Sequence, residues 1–325
     1  MKKIVILFFK LAVISAILFY LFYSDKLNRG HLAEALKARN LVFFIISGIF
    51  FFISQFLAAL RLRLLLKTID IPVSIKKTFQ LTMMGNFFSM IAIGMTGGDI
   101  VKGLYLLKRE TNHKGKSLGV IVMDRILGLF SLVFLACIFT VYMLYYQVST
   151  AMGAQNVVFV KVAAVLGALL FILAALLILS AHQGTRKKLK QFWFAWFSRN
   201  FVYHMAAGFG GMLRYRRTIT TVFLLSVIIQ LLSLASVLVF GALIVEKLPP
   251  LIVQAAVSSV VLLVGSIPVT PGNIGWTELV GALGWTAVGS GAGGAIFLYR
   301  RIANTLCSLT GGLFYISAQH DSRQS

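Results

Sequence analysis

The chain alternates between long apolar runs and short polar segments that are mostly basic. About seven runs are long enough, and poor enough in charge, to cross the hydrocarbon core of a bilayer, which takes about 20 helical residues. They are Ile4 to Tyr23, Leu41 to Leu60, Leu118 to Leu144, Val157 to Ser180, Ile219 to Val245, Leu251 to Ile267 and Ala295 to Ser317. Two shorter apolar pieces, Thr78 to Gly98 and Trp276 to Gly289, accompany them. The pattern predicts an all-α, polytopic membrane protein with about seven full spans and two broken helical elements, forming one domain over residues 1–325.

The segment from Ile267 to Glu278 is the most irregular part of this pattern. It holds two of the five prolines, is interrupted by glycines and ends in a carboxylate. Within a bilayer, non-helical backbone is tolerated only where it is buried in protein or lines a wet cavity, because each unpaired N–H or C=O costs several kcal/mol. We therefore predict that residues 268–289 form a broken helical element beside a transport pathway.

A fainter counterpart lies earlier, where the apolar stretch from Ile91 to Asp99 also breaks at glycines and ends in an acid. Lysine and arginine flank residues 78–99 on both sides, which is a cytoplasmic signature. Such a segment either enters the membrane and returns, with Gly85-Asn86 as the turn of a re-entrant hairpin, or is an ordinary span with untypical loops. Broken elements at equivalent positions in two halves are typical of transporters built from inverted repeats.

Charged side chains also occur inside the long apolar runs, where an isolated charge is expensive and is normally paired. Asp124-Arg125 lies near the start of one run, and Arg125 either snorkels and pairs with Asp124 or phosphate, or grips a lipid phosphate with its planar fork. Arg300-Arg301 lies unusually deep in the last run. We expect Glu278 or a substrate phosphate as the partner of this arginine pair.

Composition adds a strong positive charge to this picture. The 325 residues are 59% hydrophobic, with a mean hydropathy of +0.90 and a net charge of +22. The cations lie in the loops between apolar runs, as the positive-inside rule requires, so we expect no nucleic-acid partner. Their distribution predicts a multi-pass protein of the cell inner (cytoplasmic) membrane with both termini in the cytoplasm.

Residues 182–218 form the longest polar stretch, in which cations are interleaved with aromatic residues and no acid occurs. This composition predicts an interfacial amphipathic helix that rests on anionic lipid headgroups.

The cysteines and glycines of the chain do not form the patterns typical of disulfide frameworks, metal sites or nucleotide-binding loops. Cys137 and Cys307 are isolated in separate apolar segments, so we expect neither a disulfide framework nor a metal site. The chain has no glycine-lysine loop of the nucleotide-binding type, and we expect no cofactor. The glycine-rich stretch from Gly281 to Gly294 could pack helices within one chain or between two, which leaves a homo-oligomer open.

The sequence resembles the transmembrane flippase domain of the lysylphosphatidylglycerol synthases and its stand-alone relatives, the flippase-like integral membrane proteins. The resemblance covers nearly the whole chain and follows four stretches in order: Leu60 to Arg63, Gly97 to Lys102, Asp124 to Leu129 and Pro271 to Glu278. It implies translocation of a lipid between leaflets, the cargo being an aminoacylated phospholipid or a polyprenyl-phosphate-linked sugar. Because the soluble aminoacyltransferase domain of the bifunctional members does not occur in this sequence, we expect no lysyl transfer.

We therefore expect a transporter of phospholipids or polyprenyl-phosphate lipids rather than an enzyme, with the headgroup passing a charged cavity. Cations there would hold phosphate, and carboxylates would hold an amine or orient the cations. The residues predicted to contact substrate are Asp99, Lys102, Asp124, Arg125, Pro271, Gly272, Glu278, Arg300 and Arg301. One alternative is an integral membrane transferase acting on a polyprenyl phosphate, which needs paired acids for metal and phosphate or an activated base. Another is a structural or regulatory subunit in which these charges only pack helices.

Overall fold

Each of the five prolines lies outside the α-helices, because proline lacks the N–H that a helix interior needs and its ring collides with the preceding turn. The computed structural model describes residues 40–91, 97–109, 114–149, 156–181 and 215–323. Every regular element in these ranges is helical, as the sequence predicts. The α-helices are α1 (Leu41–Lys67), α2 (Ile75–Ile91), α3 (Gly97–Arg109), α4 (Lys114–Ser149), α5 (Asn156–Ala181), α6 (Arg216–Ile244), α7 (Leu251–Gly265), α8 (Trp276–Thr286) and α9 (Gly293–Arg323), and a 3₁₀ turn covers Pro271–Asn273.

Three of the described helices are long and apolar enough to cross a membrane: α1, the part of α4 from Ser117 to Tyr145, and α6. Helix α7 has 15 residues and is therefore about 22 Å long, short of the roughly 30 Å of a hydrocarbon core. The full span predicted from Leu251 to Ile267 is therefore not confirmed. The predicted first span, Ile4 to Tyr23, and most of the basic segment 182–218 lie outside the described residues.

Two pairs of short helices fold back on themselves. In the first pair, the Gly98 N–H of α3 donates to Ser89 Oγ of α2 at 3.0 Å, and Ser89 Oγ donates to the Gly85 carbonyl at 2.9 Å. In the second pair, Gly265 of α7 lies against Thr277 of α8. We call α2–α3 the first hairpin and α7–α8 the second hairpin.

The turn predicted at Gly85-Asn86 is wrong, because α2 is helical through both residues and ends only at Ile91. Gly85 serves close helix packing instead, since a Cβ at this position would lie 2.8 Å from Lys102 Cε of α3. Asn86 donates from Nδ2 to Gln55 Oε1 of α1 at 2.6 Å, so it joins two helices. Residues 92–96, between α2 and α3, lie outside the described part of the chain.

The same set of helix contacts occurs twice in the chain. A long helix precedes each hairpin (α1 or α6), and another follows it (α4 or α9). The second arm of each hairpin packs on the long helix that follows it, and the first arm packs on the long helix of the other half, α2 on α9 and α7 on α4. Helices α1 and α6 pack on each other, while α5 packs on α4 outside this pattern.

Helices α1 and α6 run in opposite directions. Near the start of α1, Ser47 Oγ lies 2.7 Å from Ser236 Oγ in the second half of α6. Near the end of α1, Arg61 donates to Ser226 Oγ, closer to the start of α6, at 3.0 Å. These two contacts make α1 and α6 antiparallel. The first arm of the first hairpin also contacts the 3₁₀ turn of the second hairpin.

Replacing Gly98 by alanine is expected to separate the arms of the first hairpin. A Cβ at residue 98 would lie 2.7 Å from the Gly85 carbonyl carbon and closer still to its oxygen, in a backbone that cannot rotate away. Overpacking of this kind costs about 1–3 kcal/mol or more. The loss of stability is measured as a decrease in the apparent melting temperature of the purified protein in detergent.

Gly103→Ala is the matched control for this change. It lies in the same helix, where a Cβ would make only ordinary contacts of 3.5 Å with Ile121 and Leu118. Alanine is the better helix former by about 0.5–1 kcal/mol, so this variant should melt at the same temperature or higher. A Gly98→Ala protein as stable as Gly103→Ala would contradict the close packing of the hairpin.

Candidate functional site

Arg301 of α9 lies against the non-helical segment that joins the two arms of the second hairpin. Its guanidinium pairs with both carboxylate oxygens of Glu278, through Nε to Oε1 and through Nη2 to Oε2, the latter at 3.3 Å. It also donates from Nη1 to the Gly272 carbonyl at 2.7 Å and from Nη2 to the Asn273 carbonyl at 2.6 Å. One side chain therefore neutralises a carboxylate that is 1% exposed and satisfies two carbonyls of broken backbone.

Two other polar groups of this segment bond to the end of α7. Asn273 Nδ2 donates to the Gly265 carbonyl at 2.7 Å, and Trp276 Nε1 donates to the Val264 carbonyl at 3.0 Å. Gly272 and Asn273 have φ values of 59° and 55°, a left-handed conformation that glycine and asparagine adopt more readily than other residues. The residue types at the break are thus those that its backbone requires.

The first hairpin carries a similar pair. Asp99, in the first turn of α3, pairs with Nε of Arg125 on α4, and Lys102 Nζ lies 3.9 Å from the same carboxylate. Glu278 likewise lies in the first turn of α8 and pairs with an arginine of the following long helix. In both places the carboxylate faces the positive end of a helix dipole. The two hairpins are therefore fastened to the next helix by the same kind of contact.

Asp124 is held by Arg61, which directly follows the apolar run from Leu41 to Leu60 and is not among the residues predicted to contact substrate. Arg61 donates from Nε to Asp124 Oδ1 at 2.6 Å and from Nη2 to Oδ2 at 2.8 Å, and both side chains are 11% exposed. Because Arg61 also bonds Ser226, it joins α1, α4 and α6. Arg125, for which the sequence leaves Asp124 and phosphate open as partners, forms an ion pair with Asp99. The available signal for Arg61 was its place among apolar residues, six positions before the end of α1 at Lys67.

Arg300, which precedes Arg301 in α9, has a neutral partner. It donates from Nη2 to Ser233 Oγ of α6 at 2.5 Å. Its Nε is buried and makes no hydrogen bond to any described residue. No carboxylate of the described residues lies within salt-bridge distance of this guanidinium, in contrast to Arg61, Arg125 and Arg301.

A polar cavity of about 360 Å³ lies where the two hairpins meet. It is bounded by the break of the second hairpin, the end of α2, and the facing sides of α6 and α9. Arg300 and Arg301 line it, and no carboxylate from the described part of the chain does. Polar uncharged side chains make up much of the remaining wall: Ser89, Gln230, Ser233, Asn304, Thr305 and Ser308.

The predicted site residues fall into two groups. Gly272, Arg300 and Arg301 line the cavity, Pro271 begins the adjoining 3₁₀ turn, and Glu278 lies behind Arg301. The other predicted residues, Asp99, Lys102, Asp124 and Arg125, form a separate cluster with Arg61 between α1, α3 and α4. The single cavity expected from the sequence is thus resolved into one polar cavity and one ion-pair cluster. Within the described ranges, no group of three or more His, Cys, Asp or Glu side chains could hold a metal ion.

A groove of about 280 Å³ between α3 and α4 adjoins this cluster. Asp99 lies at its edge, and the rest of its wall is apolar apart from one glycine: Ile100, Gly103, Leu104, Leu118, Ile121 and Val122. It therefore places a carboxylate that is already paired beside a surface suited to hydrocarbon.

Comparison with known proteins assigns the chain to a family of membrane domains. The family model described as the lysylphosphatidylglycerol synthase TM region matches residues 7–311. No curated protein and no solved structure matches the chain. The match includes both hairpins, the ion-pair cluster and the cavity, and it agrees with the resemblance seen in the sequence. The chain therefore belongs to the family of the lysylphosphatidylglycerol synthase TM region.

Proposed function

We propose that this protein moves lipids between the leaflets of the cytoplasmic membrane, with the headgroup passing through the polar cavity while the acyl chains stay in the bilayer. The observation that carries the proposal is the cavity itself, which two arginines line at the meeting point of two broken helices. Arginine and irregular backbone are both costly in hydrocarbon and are retained where they line a pathway. Membership of a lipid-related family of membrane domains supports the same function.

The twofold pattern of contacts supports an inverted repeat. Antiparallel α1 and α6 precede the two hairpins, so the hairpins enter the membrane from opposite sides in this proposal, the first from the cytoplasm and the second from outside. Their breaks meet near the middle, where transporters of this type hold their substrate. Rocking of one half against the other would then expose the cavity to each leaflet in turn.

The apolar groove between α3 and α4 supports a path for the lipid tail. Ile100 and Leu104 on its wall are 59% and 53% exposed, although they belong to a hairpin whose arms pack on α4 and α9. In the proposed arrangement they face acyl chains. The aminoacylated phospholipid and the polyprenyl-phosphate-linked sugar are both cargoes compatible with a polar cavity beside an apolar groove.

Glu278→Gln is expected to slow lipid translocation at least about tenfold. The change keeps the shape of the buried side chain but leaves the partly buried Arg301 without its counter-charge, and removing one partner of a buried ion pair typically costs about 3–5 kcal/mol. The measurement uses purified protein in liposomes with fluorescent phospholipids, read by the fraction of label that an added reductant can reach.

Glu246→Gln is the control, because it makes the same chemical change at an exposed turn after α6. Both variants are compared with wild type at equal amounts of monodisperse protein. Unchanged translocation in Glu278→Gln, or an equal loss in Glu246→Gln, would argue against a pathway through the second hairpin.

The inverted arrangement predicts which side of the membrane each hairpin faces. Single cysteines at Lys76, Lys247 and Gly291 probe the start of the first hairpin and both ends of the second, after Cys137 and Cys307 are replaced by serine. All three probe positions lie at exposed sites. Residues 247 and 291 should react with an impermeant maleimide added to intact cells, and residue 76 only after permeabilisation. Protection of residue 291 while residue 247 reacts would show that the second hairpin crosses the membrane instead of returning.

A further inference from the structure

We infer that the cavity takes a headgroup whose charge is a phosphate and whose other polar groups are hydroxyls, with Arg300 as the phosphate ligand and no site for an amine. This inference rests on the proposed function, because it names the class of lipid that the same cavity accepts. It separates the two cargoes that the sequence leaves open: a phosphoglycerol or phospho-sugar headgroup fits, and a lysyl headgroup does not.

Arg300 is the cation available to a ligand in this cavity. Of its five N–H donors, one is used by Ser233, and the buried Nε bonds no described residue. Buried polar groups are nearly always satisfied, and each exception needs an explanation. A planar guanidinium offers paired donors that match the oxygens of phosphate. A phosphate bound in the cavity would therefore supply the hydrogen-bond acceptor that Arg300 Nε lacks.

An amine would find no carboxylate in the same place. The described carboxylates inside the bundle are all held by arginines: Asp99 by Arg125, Asp124 by Arg61 and Glu278 by Arg301. None of them lines the cavity. A lysyl headgroup would bring an ammonium close to Arg300, whose charge no described carboxylate neutralises, and the repulsion disfavours it.

Comparison of the two halves supports the assignment. Asp124 and Arg300 each lie just before the arginine that fastens a hairpin, and each contacts the long helix preceding that hairpin, through Arg61 of α1 and Ser233 of α6. In the first half this contact joins opposite charges. In the second half it joins a cation to a hydroxyl, so the charge is left uncompensated where the structure has a cavity.

The rest of the wall defines what accompanies the phosphate. Serine, threonine, asparagine and glutamine side chains both donate and accept hydrogen bonds, as glycerol and sugar hydroxyls do. The volume of about 360 Å³ lies at the small end of ligand pockets, which suits one phosphate with one glycerol or sugar unit. Apolar Leu132, Leu262 and Phe297 also line the cavity.

Direct binding of soluble headgroups tests the inference without transport. The full-length protein in an uncharged detergent is titrated with glycerol phosphate, glucose 1-phosphate, inorganic phosphate, phosphoethanolamine, lysine amide, glycerol and glucose, using calorimetry or thermal stabilisation. We expect glycerol phosphate and glucose 1-phosphate to bind most tightly, inorganic phosphate more weakly, and lysine amide and the uncharged polyols not measurably. Tighter binding of phosphoethanolamine than of glycerol phosphate, or binding of lysine amide, would overturn the inference. Inorganic phosphate binding as tightly as both organic phosphates would show a free-anion site instead of a headgroup site.

Two variants remove the anion site by different routes. Arg300→Gln removes the charge and should weaken glycerol phosphate binding at least about tenfold, as expected for loss of a charge-assisted hydrogen bond. Ser233→Asp keeps Arg300 and gives it a carboxylate partner like that of Arg61, so it should weaken binding similarly while keeping the helices joined. Lys247→Gln is the control, since it removes a cation at an exposed turn. Wild-type binding in both cavity variants, or an equal loss in the control, would overturn the assignment.

Liposome assays separate this inference from the proposed function and distinguish the two lipid sources. Fluorescent phosphatidylglycerol and a polyprenyl-phosphate-linked sugar are compared with lysyl-phosphatidylglycerol. Arg300-dependent binding with no movement of any lipid would leave the anion site standing and refute translocation. Movement of all three lipids at rates that Arg300→Gln does not change would support translocation and refute the anion site. Arg300-dependent movement of only one of the first two lipids would support both statements and identify that lipid.

Discussion

The structure depends on one constraint, which is that a helix broken inside an apolar bundle must have its freed backbone groups satisfied. In the second hairpin this is done largely by Arg301, which binds two loop carbonyls while it neutralises Glu278. The neutralisation of Glu278 and the satisfaction of the loop carbonyls thus depend on the same side chain. The carboxylate holds the arginine in the apolar interior, and the arginine holds the loop open beside the cavity. Neither residue is stable at that depth without the other, because an uncompensated buried charge typically costs several kcal/mol.

The first hairpin is held by the same two kinds of contact, but close backbone packing contributes more to it and charged side chains contribute less. Gly98 and Gly85 bring its arms together, so part of the role that charged groups have in the second hairpin is taken by close backbone packing. Asp99 and Arg125 then fasten it to α4, at a site where the arginine is far more exposed than Arg301. The two halves are therefore similar in topology but unequal in local structure. The hairpin whose own ion pair is more buried is also the hairpin whose break lines the cavity.

Much of the helix inventory could be predicted from the sequence, because apolar runs and prolines act locally. Helices α1, α4 and α6 follow their apolar runs closely, and the break after α7 coincides with two prolines. The side-chain contacts between helices could not be predicted in the same way, because they depend on how the helices pack. Arg61 looked like a loop cation because sequence position gives no depth, and only its packing against α4 and α6 shows that it is the partner of Asp124. Gly85 suggested a turn for a similar reason, since a glycine required for close helix packing has the same sequence signal as one required for a positive φ.

Asp124 forms an ion pair with its neighbouring helix, whereas Arg300 contacts a neutral hydroxyl, so the two halves differ in how firmly their helices are joined. A bidentate pair such as Arg61 with Asp124 holds three helices in one fixed arrangement and leaves little charge for a ligand. The contact of Arg300 with Ser233 holds two helices with a single neutral acceptor, which is a weaker restraint and leaves donors available. A protein that alternates between two arrangements needs one interface that stays fixed and one that responds to ligand. The stronger contact of Arg61 with Asp124 fits the first requirement, and the weaker contact of Arg300 with Ser233 fits the second. The phosphate that binds Arg300 would strengthen the looser interface, so binding energy at the cavity could bias the relative position of α6 and α9.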